Sequence, residues 1–161
     1  MRLSTELLIE QYQDQLFAAA FSICKNPADA DDAVQDTFLQ YHLSTKQFDS
    51  EPHIRAWLIR VVINKAKDSC RSLWRRKNLP LDEYMETLAF ETPEAANLFE
   101  QVLLLPEKYR MVIHLHYYED YSVREIAGIL RLTEANVKVR LSRGRKLLKE
   151  ILKEEWDNDK S

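Results

Sequence analysis

Apolar residues recur along this chain at the three-to-four spacing of helices, not at the alternate spacing of strands. Leu8, Tyr12, Leu16, Ala19 and Ile23 form one such stripe and predict a helix over 5–24. Asn26-Pro27 ends it, because proline lacks an amide hydrogen and restricts the residue before it. A second helix is expected from about Ala28 to Leu43. Ala30, Val34, Thr37, Phe38 and Tyr41 make its apolar stripe, and acids crowd its first turn, where the helix dipole favours them. Residues 44–52 read as a loop. The third helix runs from His53 to about Arg76 with Ile54, Trp57, Leu58, Val61 and Ala66 on its core side, so Trp57 is expected to pack.

The pattern breaks over 79–96, between Pro80 and Pro93, and this stretch reads as a linker with at most a short helical turn. Helices resume over 97–104 and 107–119, the latter starting after Pro106. Ser122 and Glu125 have capping-box spacing, and Val123, Ile126, Ala127 and Leu130 form the inner face of the helix they open. Arg131-Leu132-Thr133 is a short turn, and Thr133 caps a last helix reaching about Leu152. The expected fold is all-α, with two small helical domains: 1–78, a linker over 79–96, a second domain over 97–153, and an acidic tail over 154–161.

A chain of 161 residues, 45% apolar and 30% charged, has the composition of a globular protein. No apolar run reaches the roughly 18 residues of a membrane span, and the first residues lack a signal-peptide pattern. A cytoplasmic location is therefore expected. Cys24 and Cys70 show no CxxC spacing and read as free thiols.

The net charge of −3 conceals an uneven distribution. Residues 1–54 carry −6, 55–78 carry +7, 79–107 carry −7, 108–153 carry +6 and 154–161 carry −3. Two basic blocks on an acidic chain point to two anion-binding surfaces, because a polyanion responds to local patches. The second block contains the more specific pattern. Residues 122–147 have the layout of a helix-turn-helix, the arrangement that places a second helix in the major groove. On that helix Val137, Leu141, Gly144 and Leu148 are expected inward, leaving Lys138, Val139, Ser142, Arg143 and Arg145 elsewhere.

Several segments in fixed order carry a family resemblance. They are Asp29-Ala-Asp-Asp-Ala-Val-Gln-Asp-Thr-Phe38, Arg55-Ala-Trp-Leu-Ile-Arg-Val-Val-Ile-Asn64, Leu105-Pro-Glu-Lys-Tyr-Arg110, Glu125-Ile-Ala127 and Val137-Lys-Val-Arg-Leu141. Together, over about 5–153, they resemble the extracytoplasmic-function sigma factors, the smallest members of the sigma-70 family. The resemblance implies a non-catalytic initiation subunit that binds core RNA polymerase and promoter DNA, with an anti-sigma factor, in this family often membrane-anchored, as a further partner. It implies no cofactor, no metal and no small-molecule substrate.

The resemblance also distributes roles. Asp31, Asp32, Gln35, Asp36 and Phe38 correspond to the element that docks on the polymerase, its acids steering association and its aromatic anchoring it. The third helix and the loop before it correspond to the part that recognises and melts the −10 element. Asn64, Asp68, Arg71 and Arg75 share one helical face, Lys65 and Arg76 add charge, and Phe48 and His53 are candidates for capturing an unstacked base. Lys138, Val139, Ser142 and Arg143 match base-facing positions for the −35 element, and Arg140 and Arg145 phosphate-facing ones. Arg131 occupies the turn position where glycine is common, at a cost of about 1 kcal/mol for a left-handed residue.

The competing expectation is a helix-turn-helix regulator with a helical sensor or dimerisation domain, which leaves the basic block at 55–78 without a purpose. An enzyme finds no support in the residues: His114 and His116 are two apart and do not share a helix face, and neither cysteine has a histidine near it in sequence.

Overall fold

A computed structural model describes residues 1–70 and 92–160, with side chains through Ser69 in the first segment and through Glu154 in the second. Every regular element among the described residues is helical. The chain divides into two units, Met1–Ala89 and Phe90–Ser161.

The first unit packs three helices against one another: α1 (Thr5–Cys24), α2 (Pro27–Leu43) and α3 (Glu51–Cys70). Ser4 caps α1 by accepting from the Leu7 amide at 3.2 Å. Asn26 caps α2 by accepting from Asp29 at 3.0 Å, and Pro27 takes the first helical position. The proline that stops α1 therefore also starts α2, where its missing N–H costs nothing. Ser50 accepts from His53 at 3.3 Å and so opens α3 two residues before the expected start. The expected continuation of α3 to Arg76 lies outside the described residues. Leu8, Leu16, Phe21, Tyr41, Ile54, Leu58 and Ile59 fill the core. Tyr12 of α1 donates to Glu51 Oε1 at 2.8 Å, which pins α3 to α1; burial first, then that carboxylate, push the phenol up to about 12.

The second unit contains α4 (Pro93–Val102), α5 (Glu107–Ile113), a π-helical turn (His114–Tyr118), α6 (Val123–Leu130) and α7 (Glu134–Lys160). The last four residues assigned to the linker are helical. Thr92 accepts from Ala95 at 3.0 Å and Pro93 follows it, so this proline begins a helix instead of breaking one. Beneath the helix-turn-helix lies a buried polar cluster. His114 Nε2 and Glu119 Oε1 are 3.3 Å apart, and Arg110 donates to the Leu105 carbonyl at 2.8 Å. Phe99 and Tyr118 enclose the His114 ring, edge-on and stacked respectively.

Candidate nucleic-acid interface

In α7 the 3.6-residue period sorts side chains into two sets. Val137, Leu141 and Gly144 are buried, while Lys138, Val139, Ser142, Arg143 and Arg145 are exposed. Thr133 opens the helix by accepting from Asn136 at 3.1 Å. The preceding α6 carries the full capping box, Glu125 N–H to Ser122 Oγ and Ser122 N–H to Glu125 Oε1, each at 3.1 Å. Between them Arg131 adopts φ 58°, ψ 46°, and its amide donates to the Ala127 carbonyl, so the turn is the left-handed one that its position implied. Gly144 is where α7 crosses α5: a Cβ there would stand 3.1 Å from Ile113 Cγ1 and 3.3 Å from Tyr109 Cβ.

The cations of this helix have distinct surroundings. Arg140 donates from Nε to Asn136 Oδ1 at 3.1 Å. The Arg143 guanidinium lies beside the Tyr109 phenol of α5. Burial alone would raise that phenol, but Arg143 and Lys108 outweigh it and hold it below its ordinary value. Arg145 leans toward the π-helical turn, where its Nε donates to the Tyr117 hydroxyl and its guanidinium lies 5.6 Å from the ring centre. The outward strip is exposed as expected, and Arg140 and Arg145 within it are tethered to Asn136 and Tyr117.

In the first unit, α2 presents Asp31, Asp32, Gln35 and Asp36 to solvent. Burial, and then the neighbouring Asp32, hold the Asp31 carboxyl above the usual carboxylate range. Asn64 and Asp68 are exposed one turn apart on α3. Lys65 lies apart from them, lining a cleft between α2 and α3 with Asp36, Leu39, Leu43 and Trp57. Arg71, Arg75 and Arg76 lie outside the described residues.

Two aromatic residues to which the resemblance assigned docking and base capture are core residues. Phe38 is 6% exposed, and Phe48 is 3% exposed. The Phe48 ring stacks on Tyr41 at 5.8 Å and meets His53 and Trp57 edge-on at 5.1 and 5.8 Å. It anchors its loop and offers no open face to a base. Trp57 packs on Tyr41 and Phe48 as expected of a core side chain, with its remaining surface in the cleft beside Lys65. His53 is half-buried; the Asp49 amide donates to its Nδ1 at 3.1 Å, leaving Nε2 to carry the proton of the neutral ring.

Residues 8–76 match sigma-70 region 2, and residues 96–148 match sigma-70 region 4. SigF of Caulobacter vibrioides, an ECF RNA polymerase sigma factor, is 31% identical over 130 residues, 79% of this chain and 73% of that protein. The chain belongs to the sigma-70 family, among its extracytoplasmic-function members. SigW of Bacillus subtilis is 27% identical over 164 residues, 91% of this chain and 88% of the relative. CnrH, solved in complex with the cytosolic domain of CnrY, has the same fold at TM-score 0.68 and 30% identity, covering 92% of this chain and 87% of that one. RpoE of Bartonella quintana, solved with the anti-sigma factor NepR, matches at TM-score 0.71 and 22% identity over 92% of this chain and 96% of that chain, a likeness of fold.

This sigma factor is thus a non-catalytic alternative initiation subunit, and its site is a set of surfaces. Among the described residues, no group of three or more His, Cys, Asp or Glu could hold a metal. Sequence reasoning missed two surface residues on α2: Leu39 is 55% exposed and Leu43 is 72% exposed, on the turns that follow Asp36. The signal was present, because both fall off the apolar stripe that was assigned to the core.

Proposed function

We propose that this sigma factor docks on core RNA polymerase through the outer face of α2, captures and melts the −10 element with loop 44–50 and the polar face of α3, and reads the −35 element with the first turns of α7. The observation that carries the proposal is the sorting of α7, where an uninterrupted apolar seam faces the unit's interior and Lys138, Val139, Ser142 and Arg143 face outward. Such a strip offers donors for base edges and phosphates, and Val139, 45% exposed, offers an apolar contact to a thymine methyl. On α2, Asp31, Asp32 and Asp36 supply the steering charge. Leu39 and Leu43 supply the apolar anchor in place of Phe38. Arg140 and Arg145, and in the first unit Lys65 and Arg76, are assigned to phosphates.

No helix among the described residues is long and apolar enough to cross a membrane, in keeping with work on DNA in the cytoplasm. CnrH and RpoE were both solved with a regulator bound, CnrY through its cytosolic domain and NepR as an anti-sigma factor. An anti-sigma factor, membrane-anchored in the manner that a cytosolic domain implies, is the corresponding partner here. The sensor-domain regulator loses its footing, since the region 2 match gives the first basic block a purpose.

Run-off transcription tests the proposal. Sigma-free core polymerase, the purified protein and a library of promoter fragments should give selective, protein-dependent transcripts, whose start sites define the promoter. No transcripts together with no binding to core would remove it.

A further inference from the structure

Residues 1–3, which precede the α1 cap Ser4, lie along the loop that joins α2 to α3 and hold it at several points. The Phe48 amide donates to the Met1 carbonyl at 3.1 Å, and the Met1 nitrogen donates back to the Phe48 carbonyl at 2.9 Å. Arg2 then bridges the end of α2 and the loop. One terminal nitrogen donates to the Tyr41 carbonyl at 2.8 Å and the other to the Lys46 carbonyl at 2.9 Å. Its guanidinium also lies 4.4 Å from the centre of the Tyr41 ring. The Tyr41 hydroxyl, from a fully buried ring, donates to the Leu3 carbonyl at 2.6 Å and accepts the Leu3 amide at 3.1 Å.

The loop is therefore fixed from two sides. Phe48 roots it in the aromatic cluster of Tyr41, Trp57 and His53, and the strap of residues 1–3 holds its backbone. What remains outward are the side chains of Thr45, Lys46, Gln47 and Asp49. Capturing an unstacked base requires the groups that meet it to stand ready, because ordering a mobile loop on binding costs conformational entropy. A planar guanidinium can bond two carbonyls and stack on a ring at once, whereas an ammonium is a point charge without that fork.

We propose that Arg2 is a positioning residue for promoter opening. It holds loop 44–50 in the conformation that receives the unstacked −10 base, and it does so without touching DNA. The inference rests on the assignment of that loop to base capture.

The test uses holoenzyme assembled from core polymerase and the full chain, carrying no change, Arg2→Lys or Arg2→Ala. Opening is followed by 2-aminopurine placed in the −10 element of a promoter recovered by run-off transcription. Core binding and binding to a −35 duplex fragment are measured in parallel. Both Arg2 variants should open the promoter about tenfold more slowly, with core and −35 affinities unchanged. Lysine should fail to rescue, since the fork and not the charge is at work. Opening at the normal rate by Arg2→Ala, or full rescue by Arg2→Lys, would overturn the inference and leave the sigma assignment intact. Should Arg2→Ala lose core binding through misfolding, Tyr41→Phe decides: it removes only the hydroxyl that ties Leu3, and slowed opening supports the strap while normal opening refutes it. An unmodified holoenzyme that transcribes yet gives no fluorescence change in the −10 element overturns the base-capture assignment itself, and the inference with it.

Discussion

Arg143 and Arg145 stand two positions apart on α7, and their neighbours lie in different directions. Arg143 lies beside the Tyr109 phenol on one flank, and Arg145 donates to the Tyr117 hydroxyl on the other. Arg143→Ala is expected to weaken binding to the −35 element by about 1–3 kcal/mol and to relax preference at one base pair, measured by titration against single-base variants of the site. An equal loss on every sequence would reassign Arg143 to phosphate. For Arg145→Ala the expected pattern is the uniform one: weaker binding across sequences and a salt slope smaller by about one unit. A sequence-dependent loss would instead place Arg145 at a base. The outward set of α7 was legible from the helical period alone, because Val137, Leu141 and Gly144 leave it no other face. Phe38 shows where legibility failed. Its spacing with Val34 and Tyr41 had already placed it on the inner stripe of α2, in conflict with the exposed anchoring role that the resemblance implied, and the ring is buried in the structure. Phe48 gave no comparable warning, since a loop has no period to betray burial.

Several helix starts were readable because this chain caps with the residue types that favour it. Ser4, Asn26, Thr92, Ser122 and Thr133 each accept a hydrogen bond from the opening turn of a helix. The start of α4 was misplaced because Thr92-Pro93 was read for the proline's breaking effect and not for its place after a cap. The π-helical turn had no signal in the sequence; within it His114 and Tyr118 pack against each other and against Phe99. Left-handed backbone positions are held by Lys25, Asp120 and Arg131. Arg131→Gly should therefore stabilise the second unit by about 1 kcal/mol, read as a higher denaturant midpoint of its transition; a lower midpoint would mean that the arginine contributes more than its backbone strain costs. Gly144 makes the opposite case. Any side chain there meets Ile113 and the stiff Cβ of Tyr109, so Gly144→Val should destabilise that unit by about 1–3 kcal/mol and weaken −35 binding with it. An unchanged midpoint would show that α5 and α7 can separate freely at their crossing.

At the scale of the whole chain, charge alternates by segment, and the two basic blocks are separated by a stretch in which residues 82–94 carry five acids and no base. Acids of this stretch that come within the screening length of either block, about 10 Å at 0.1 M salt, repel an approaching polyanion. Replacing Asp82, Glu83, Glu86, Glu91 and Glu94 by their amides should raise the affinity of the free chain for a promoter fragment several-fold at about 0.05 M salt. The gain should vanish near 1 M, where the screening length falls to about 3 Å. Glu94 needs separate treatment, for it lies in the first turn of α4, where a carboxylate is stabilised by the helix dipole by about 0.3–1 kcal/mol. A four-site variant that keeps Glu94 acidic separates the two effects: if repulsion is the cause, most of the gain persists without any change in helical stability. Unchanged affinity at low salt in both variants would remove the acidic stretch as a brake on DNA binding and leave its charge to some other partner.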